Sequence, residues 1–249
     1  MQKKQNKIGL VWFRNNLRVQ DNNALNLAIN ENKNVIACYC FNPKHYEISD
    51  FGFKKTGQFR AQFLIETIQK LKANLKSLNI ELFVFNDKPE VSIKQLVSTH
   101  HINSIYLQKE WTSEENETLD KVKKQLNDTV KFKEVYDQFL YHPEDIKMRF
   151  SEIPQVFTNF RKKVEKYSTV KPITCNDSIE KKEFANTSQI PTLKDLGFKE
   201  FNTHLNSAFP FKGGETSALN RLEDYFFKTK KLGFYKKTRN GLLGTDYSS

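Results

Sequence analysis

Two patterns in residues 1–137 predict an α/β fold built on a doubly wound, Rossmann-like, five-stranded parallel sheet. Five short apolar runs recur with few polar interruptions, and segments with apolar residues every three to four positions lie between them. Strands apolar on both faces belong to sheets covered on both sides, and parallel neighbours need a helical crossover between them. A third pattern sets the limit of the domain, because the alternation ends near residue 137. The chain then divides into an α/β domain (1–137), a helix and long connector (138–212), and the start of an all-helical unit (213–249).

The first strand is IGLVWF, residues 8–13. A polar loop follows, and Asp21-Asn22 supplies an Asx-type start for a helix carrying Ala24, Leu25, Ala28 and Ile29 on one face. VIACYCF (35–41) is the second strand, with Cys38 and Cys40 on one face of it as small apolar residues. The longest helix spans 56–78, with Phe59, Phe63, Ile68, Leu71, Leu75 and Leu78 predicted as its buried stripe. IELFVF (80–85) is the third strand. Pro89 suits the first turn of the next helix, over 91–97, and residues 104–107 form the fourth strand. Ser113 with Glu114, Glu115 and Glu117 reads as a helix N-terminus, with Leu119, Val122 and Leu126 facing inward. Residues 130–135 are the fifth strand.

Beyond the sheet, residues 156–164 predict an amphipathic surface helix, with Phe157, Phe160 and Val164 opposite Arg161-Lys162-Lys163. Periodicity fades over 168–210, where Pro172, Pro191 and Pro210 punctuate a stretch read as a connector running over the α/β domain. After Gly213-Gly214 a helix is predicted to about residue 231, with Ala218, Leu219, Leu222, Tyr225 and Phe226 on its apolar face.

A chain of 249 residues is long enough for one domain and part of another. Forty basic against 29 acidic residues give a formal charge of +11. That suits a polyanionic partner, nucleic acid first, and equally the plainer reading of a lysine-rich solvated surface. No apolar run approaches the ~20 residues of a membrane helix, and no signal-type segment follows MQKKQNK. Three cysteines make no disulfide framework. A cytoplasmic monomer with no membrane attachment and no metal site is the expectation.

Four stretches, in order along the chain, carry a resemblance: VWFRNNLRVQDNNAL at 11–25, IPQVFTNFRKKVE at 153–165, FKGGETSALNRLEDY at 211–225 and YKKTRNGLLGTDYSS at 235–249. They resemble motifs of the cryptochrome/photolyase family, most closely its DASH-type cryptochromes. The resemblance implies an N-terminal antenna domain, an interdomain connector and the truncated start of a helical FAD-binding domain. It implies the activity of a deoxyribodipyrimidine photolyase, a carbon–carbon lyase, or blue-light photoreception. In the repair reaction cyclobutane pyrimidine dimers in single-stranded DNA are split, with FAD as the working chromophore and methenyltetrahydrofolate as the antenna. Asn16 departs from the family, which usually carries Asp there; this weakens any ion pair expected of that loop.

The candidate cofactor-binding residues are Glu110, Tyr235, Ser248 and Ser249. Tyr235, Ser248 and Ser249 match flavin-contacting positions of the family motif, as hydrogen-bonding partners of the diphosphate; a plain polar tail is the alternative. Glu110 follows the fourth strand at its C-terminal end, where open α/β sheets bind ligands; no GxGxxG follows the first strand, which disfavours a dinucleotide site of the usual kind. By resemblance Glu110 matches the position that holds the folate antenna. Its carboxylate can accept two N–H donors from a pterin edge, Trp111 offers a stacking face, and a solvated glutamate is the alternative. No catalytic residue is assigned, because the tryptophans that pass electrons to the flavin in the family fall beyond Ser249. Residues 1–249 alone are expected neither to hold flavin tightly nor to repair DNA.

Other polar groups receive plainer readings. Lys228, Lys230, Lys231, Lys236, Lys237 and Arg239, with interleaved aromatics, have a single-strand-binding composition but also suit a helix C-terminus. His100-His101 read as surface residues at a helix end. The competing class is a stand-alone, non-enzymatic nucleotide- or chromophore-binding module, which the absorption spectrum of the purified protein separates from a flavoprotein.

Overall fold

The computed structural model describes residues 5–126, 130–204, 207 and 211–239. Its five strands are β1 (Gln5–Trp12), β2 (Asn32–Cys40), β3 (Glu81–Phe85), β4 (Ile102–Gln108) and β5 (Lys131–Val135). Every neighbouring pair is parallel, in the order β3-β2-β1-β4-β5. The chain winds one way from β1 to β3, then crosses back to β4 and winds the other way. The loops leaving β1 and β4 therefore diverge and open a crevice at the C-terminal edge of the sheet.

Four crossover helices cover the sheet: α1 (Asn23–Glu31), α2 (Gln58–Ser77), α3 (Pro89–His100) and α4 (Ser113–Leu126). Alternation along β1 sends Val11 and Phe13 into one core, with Ala24, Leu25 and Ala28 of α1 and Ile65, Ile68 and Leu71 of α2. Leu10 and Trp12 enter the other core, with Ile93 of α3, Leu119 and Val122 of α4, and both Cys38 and Cys40. Burial raises the Cys38 pKa well above that of a free thiol, so it packs as an inert small apolar group. The N-cap expected near residue 22 is Asn22, whose side chain accepts from the Leu25 N–H at 3.1 Å. His101 closes α3 as an exposed C-cap in the left-handed region (φ 52°).

Two features of the long helix differ from the expectation. Phe59 and Phe63 are 66% and 42% exposed, and the buried stripe of α2 is Ala61, Ile65, Ile68, Leu71 and Leu75. The two phenylalanines lie on a second face that meets later parts of the chain. Phe59 packs edge-on to Phe201 at 4.6 Å, and Phe63 lines a groove against the final helical segment.

The connector is bound to the sheet. Ile179, Leu193 and Leu196 are buried in the α1/α2 core. Where the connector passes the open edge of β3, Ser188 Oγ accepts from the Val84 N–H (2.9 Å) and Asn186 Nδ2 donates to the Leu82 carbonyl (2.9 Å). Two polar side chains thus satisfy edge groups that another strand would otherwise take. The preceding helix, α5 (Phe157–Tyr167), buries Val164 alone and leaves Phe157 72% exposed.

The final segment contains α6 (Glu215–Glu223), one π-helical turn (Asp224–Lys228), a 3-10 turn (Lys231–Phe234) and α7 (Tyr235–Thr238). The single helix expected to about residue 231 is therefore broken, with Lys230 in the left-handed region (φ 53°) at the break. The start of this segment is held on the α/β domain, with most of its apolar face left half exposed. Gly213 packs against the α2 backbone so closely that a Cβ there would fall 2.2 Å from the Phe63 carbonyl oxygen. The Glu215 carboxylate accepts from the Val19 N–H (3.0 Å), the Gln20 N–H (2.8 Å) and Asn74 Nδ2 (3.0 Å), pinning the start of α6 to two elements. Tyr225 is buried, whereas Leu219, Leu222 and Phe226 remain 40–49% exposed.

Candidate functional site

Three loops meet at the C-terminal edge of the sheet, after β1, β4 and β5. Glu110 lies at their centre and is 4% exposed. Its Oε1 accepts from Gln108 Nε2 (3.0 Å) and Asn15 Nδ2 (3.1 Å), and its Oε2 accepts from Gln138 Nε2. Three neutral amides thus surround a buried carboxylate that offers about four lone-pair directions. No cation is bonded directly to it among the described residues; the Arg14 guanidinium, just after β1, interacts with it electrostatically.

Arg14 is held from several directions. Its guanidinium donates to the Gln108 carbonyl and, at 3.5 Å, to the Glu115 carbonyl, and it lies 5.1 Å from the centre of the Trp12 ring. Burial lowers its pKa, against the opposing pull of Glu110, Glu115 and Glu134. Its Nε is buried with no hydrogen-bond partner among the described residues. Glu115, in the first turn of α4, accepts from Asn15 Nδ2 (2.8 Å) and Thr112 Oγ1 (2.7 Å). Burial pushes the Glu115 carboxyl up, but these hydrogen bonds and the Arg14 charge outweigh it and hold the pKa below the usual value.

Beside this polar centre is an aromatic wall. The Trp111 ring is 50% exposed and stacks on Tyr136 (5.5 Å between centres, 26° between planes), with Phe139 at 5.7 Å. The Lys109 ammonium lies 5.6 Å from the Trp111 ring centre and 5.0 Å from that of Tyr136. A cavity of about 490 Å³ opens against Trp111 and is lined further by Gln138, Phe139, Leu140, Tyr141, Ile146 and Phe160. This volume and apolar lining suit a planar organic ligand. The three amides already occupy the acceptor positions of Glu110, and Gln138 alone of them lines the cavity, so a pterin edge would reach the carboxylate by replacing Gln138.

Sequence reasoning singled out Glu110 and Trp111 and passed over the amides bonded to Glu110. Gln138 was within reach of the same logic, since it follows β5 at the same edge of the sheet. Asn15 and Gln108 carry no signal of their own. Tyr235 lies elsewhere, at the first position of α7 and 41% exposed, and is not among the partners of Glu110. Ser248 and Ser249 fall outside the described residues. Asn16, where an acid was expected from the resemblance, is 2% exposed and bonded to Asn22. Arg18 instead meets Asp137 at 3.7 Å. Burial raises the Asp137 pKa, partly offset by Arg18 and the N–H donors of Asn23. No helix among the described residues is long and apolar enough to cross a membrane.

Comparison with known proteins agrees with this architecture. The DNA photolyase family model matches residues 9–180. The chain is 40% identical over 247 residues to a Cryptochrome DASH of Gloeobacter violaceus, covering 98% of this chain and 49% of that protein. A Cryptochrome DASH of Xenopus laevis is 35% identical, with 98% and 48% covered. The crystal structure of a Synechocystis cryptochrome superposes with a TM-score of 0.87 at 33% identity, over 100% of this chain and 52% of that one. The chain spans about half the length of the curated relatives it matches. Three loops converging at a switch point without a dinucleotide fingerprint, a connector bound to the sheet edge and these matches lead to one conclusion: the chain belongs to the cryptochrome/photolyase family and is similar throughout to its DASH-type cryptochromes.

Proposed function

We propose that this chain is the antenna-bearing part of a DASH-type cryptochrome, and that Glu110 with Trp111 forms its methenyltetrahydrofolate site. In the whole protein FAD would be the working chromophore and DNA carrying pyrimidine dimers, or a light signal, its object. The observation that carries the reading is a buried carboxylate ringed by N–H donors beside an exposed aromatic face, at the switch point of the sheet. The bound folate would supply absorption of near-ultraviolet light. The chain's own residues bind and orient it: Glu110 accepts the N–H edge, Trp111 and Tyr136 provide the stacking surface, and Lys109 attracts negative charge to the rim.

Tyr235 is proposed as a flavin contact. The described residues around it do not enclose a ring system, so flavin binding by this segment needs the remainder of a helical domain. The test is direct. Protein incubated with methenyltetrahydrofolate and passed through gel filtration should retain the near-ultraviolet folate band. Loss of a carboxylate that accepts polar donors costs about 1.5–3 kcal/mol, so Glu110→Ala should weaken binding roughly tenfold to a hundredfold. Equal retention by Glu110→Ala would place the antenna elsewhere, and a flavin spectrum on the purified chain would show that residues 1–249 hold flavin by themselves.

A further inference from the structure

Gln138 stands between the cavity and the carboxylate. It lines the cavity together with Trp111, Phe139 and Tyr141, and its Nε2 donates to Glu110 Oε2. Glu110 does not line that cavity. Its Oε1 is held by Asn15 and Gln108, at 3.1 and 3.0 Å, whereas on Oε2 the donor is Gln138. A ligand entering past Trp111 therefore meets an amide where it needs an oxygen.

We propose that Gln138 is the gate of the Glu110 carboxylate, displaced only by a ring system that returns N–H donors to it; this rests on the chromophore reading above. Gln138 is an exposed residue in a segment with neither helix nor strand, so its side chain can leave for solvent with the loss of a single hydrogen bond. A hydrogen bond to a carboxylate is strong enough to keep such a gate closed most of the time, and apparent affinity falls in proportion to the open fraction. A ligand holds the gate open only by returning N–H donors to Oε2. The 2-amino-4-oxopyrimidine edge of a pterin presents two adjacent N–H groups and does so. The corresponding edge of a flavin presents one N–H between two carbonyl oxygens, which would face the carboxylate with like partial charge. A pterin can therefore displace Gln138 and a flavin cannot: the carboxylate does the discriminating, and Gln138 sets how often it is bared.

The experiment is a titration of the 249-residue protein followed by Trp111 fluorescence quenching, with methenyltetrahydrofolate and with FMN, on wild type, Gln138→Ala and Glu110→Gln. Gln138→Ala should bind folate about tenfold tighter, with the gain in the association rate, and FMN no better than wild type does. Thermal melting checks that the exposed substitution leaves the fold intact. If Glu110→Gln weakens folate binding but Gln138→Ala leaves it unchanged or weaker, the gate is overturned and the site stands. If Gln138→Ala improves FMN as much as folate, the selectivity is overturned. If folate affinity ignores Glu110→Gln, or no variant binds folate, the chromophore reading fails and the gate with it.

Discussion

Replacing Gly213 by alanine tests how the last helical segment is held. The added Cβ would lie 2.2 Å from the Phe63 carbonyl oxygen, 2.6 Å from Thr67 Oγ1 and 3.1 Å from the Phe63 carbonyl carbon. The nearest of these atoms is backbone within α2, so no rotamer change relieves the overlap, and the two elements must separate by about 1 Å to restore van der Waals contact. That movement stretches the bond from the Gly213 N–H to Glu66 Oε2, now 2.8 Å, and the three donors on Glu215, at 2.8–3.0 Å. Losing the equivalent of two partly exposed, charge-assisted bonds costs about 3 kcal/mol, or roughly a hundredfold in the docked fraction. A nine-residue helix has little stability by itself, so undocking α6 also unfolds it. Hydrogen exchange followed by mass spectrometry should show protection over residues 215–228 falling by about two orders of magnitude, with the sheet unchanged. Unaltered protection of α6 in Gly213→Ala would refute the claim that this close approach holds the segment.

Three further outcomes are expected. A chain ending at Asp137 keeps all five strands and should melt cooperatively, but at a lower midpoint than one ending at Asn202, because Ile179, Leu193 and Leu196 leave the core; a broad, non-cooperative transition would move the boundary downstream. Leu196→Ala, at a site 3% exposed, should cost about 2 kcal/mol, read as a shift in urea midpoint at constant slope; no shift would mean that the connector contributes nothing to stability. The His45 pKa is lowered by burial, then by Lys55, Arg60 and Lys44, against Glu115. The unfolded chain therefore takes up this proton first as pH falls. The stability contributed by neutral His45 is complete above about pH 6.5 and is lost as pH drops toward the lower folded value. His45→Gln should flatten that part of the stability profile, and an unchanged profile would assign the slope to other groups.

The sheet was legible because a doubly wound parallel sheet writes itself as apolar runs at regular intervals, and all five runs became strands. Periodicity failed where one helix serves two partners. Phe59 and Phe63 continue the apolar spacing of α2, yet they face Phe201 and the α6 groove, and a one-dimensional pattern does not distinguish the two faces. The site was half legible for a similar reason. Glu110 stands out as a carboxylate at a strand end, whereas Asn15, Gln108 and Gln138 are ordinary amides whose convergence exists only once β1, β4 and β5 lie side by side. The means by which α6 attaches was not legible, because Glu215 reads as an ordinary first-turn acid and the N–H groups from which it accepts lie 195 and 196 positions earlier.

The clasp of Asn186 and Ser188 on β3 has a consequence for how the chain is made. Val84 leaves the ribosome 104 positions before the serine that satisfies its N–H. At about 5–20 residues per second, that is roughly 5–20 s during which the outer edge of β3 is complete and bare. In that interval the strand is a template for any extended segment nearby, including the same strand on the next chain of a polysome. Slow translation of residues 85–188 lengthens the exposure and fast translation shortens it. Synonymous codon changes confined to that stretch should therefore alter the soluble yield of the protein while leaving the finished molecule identical.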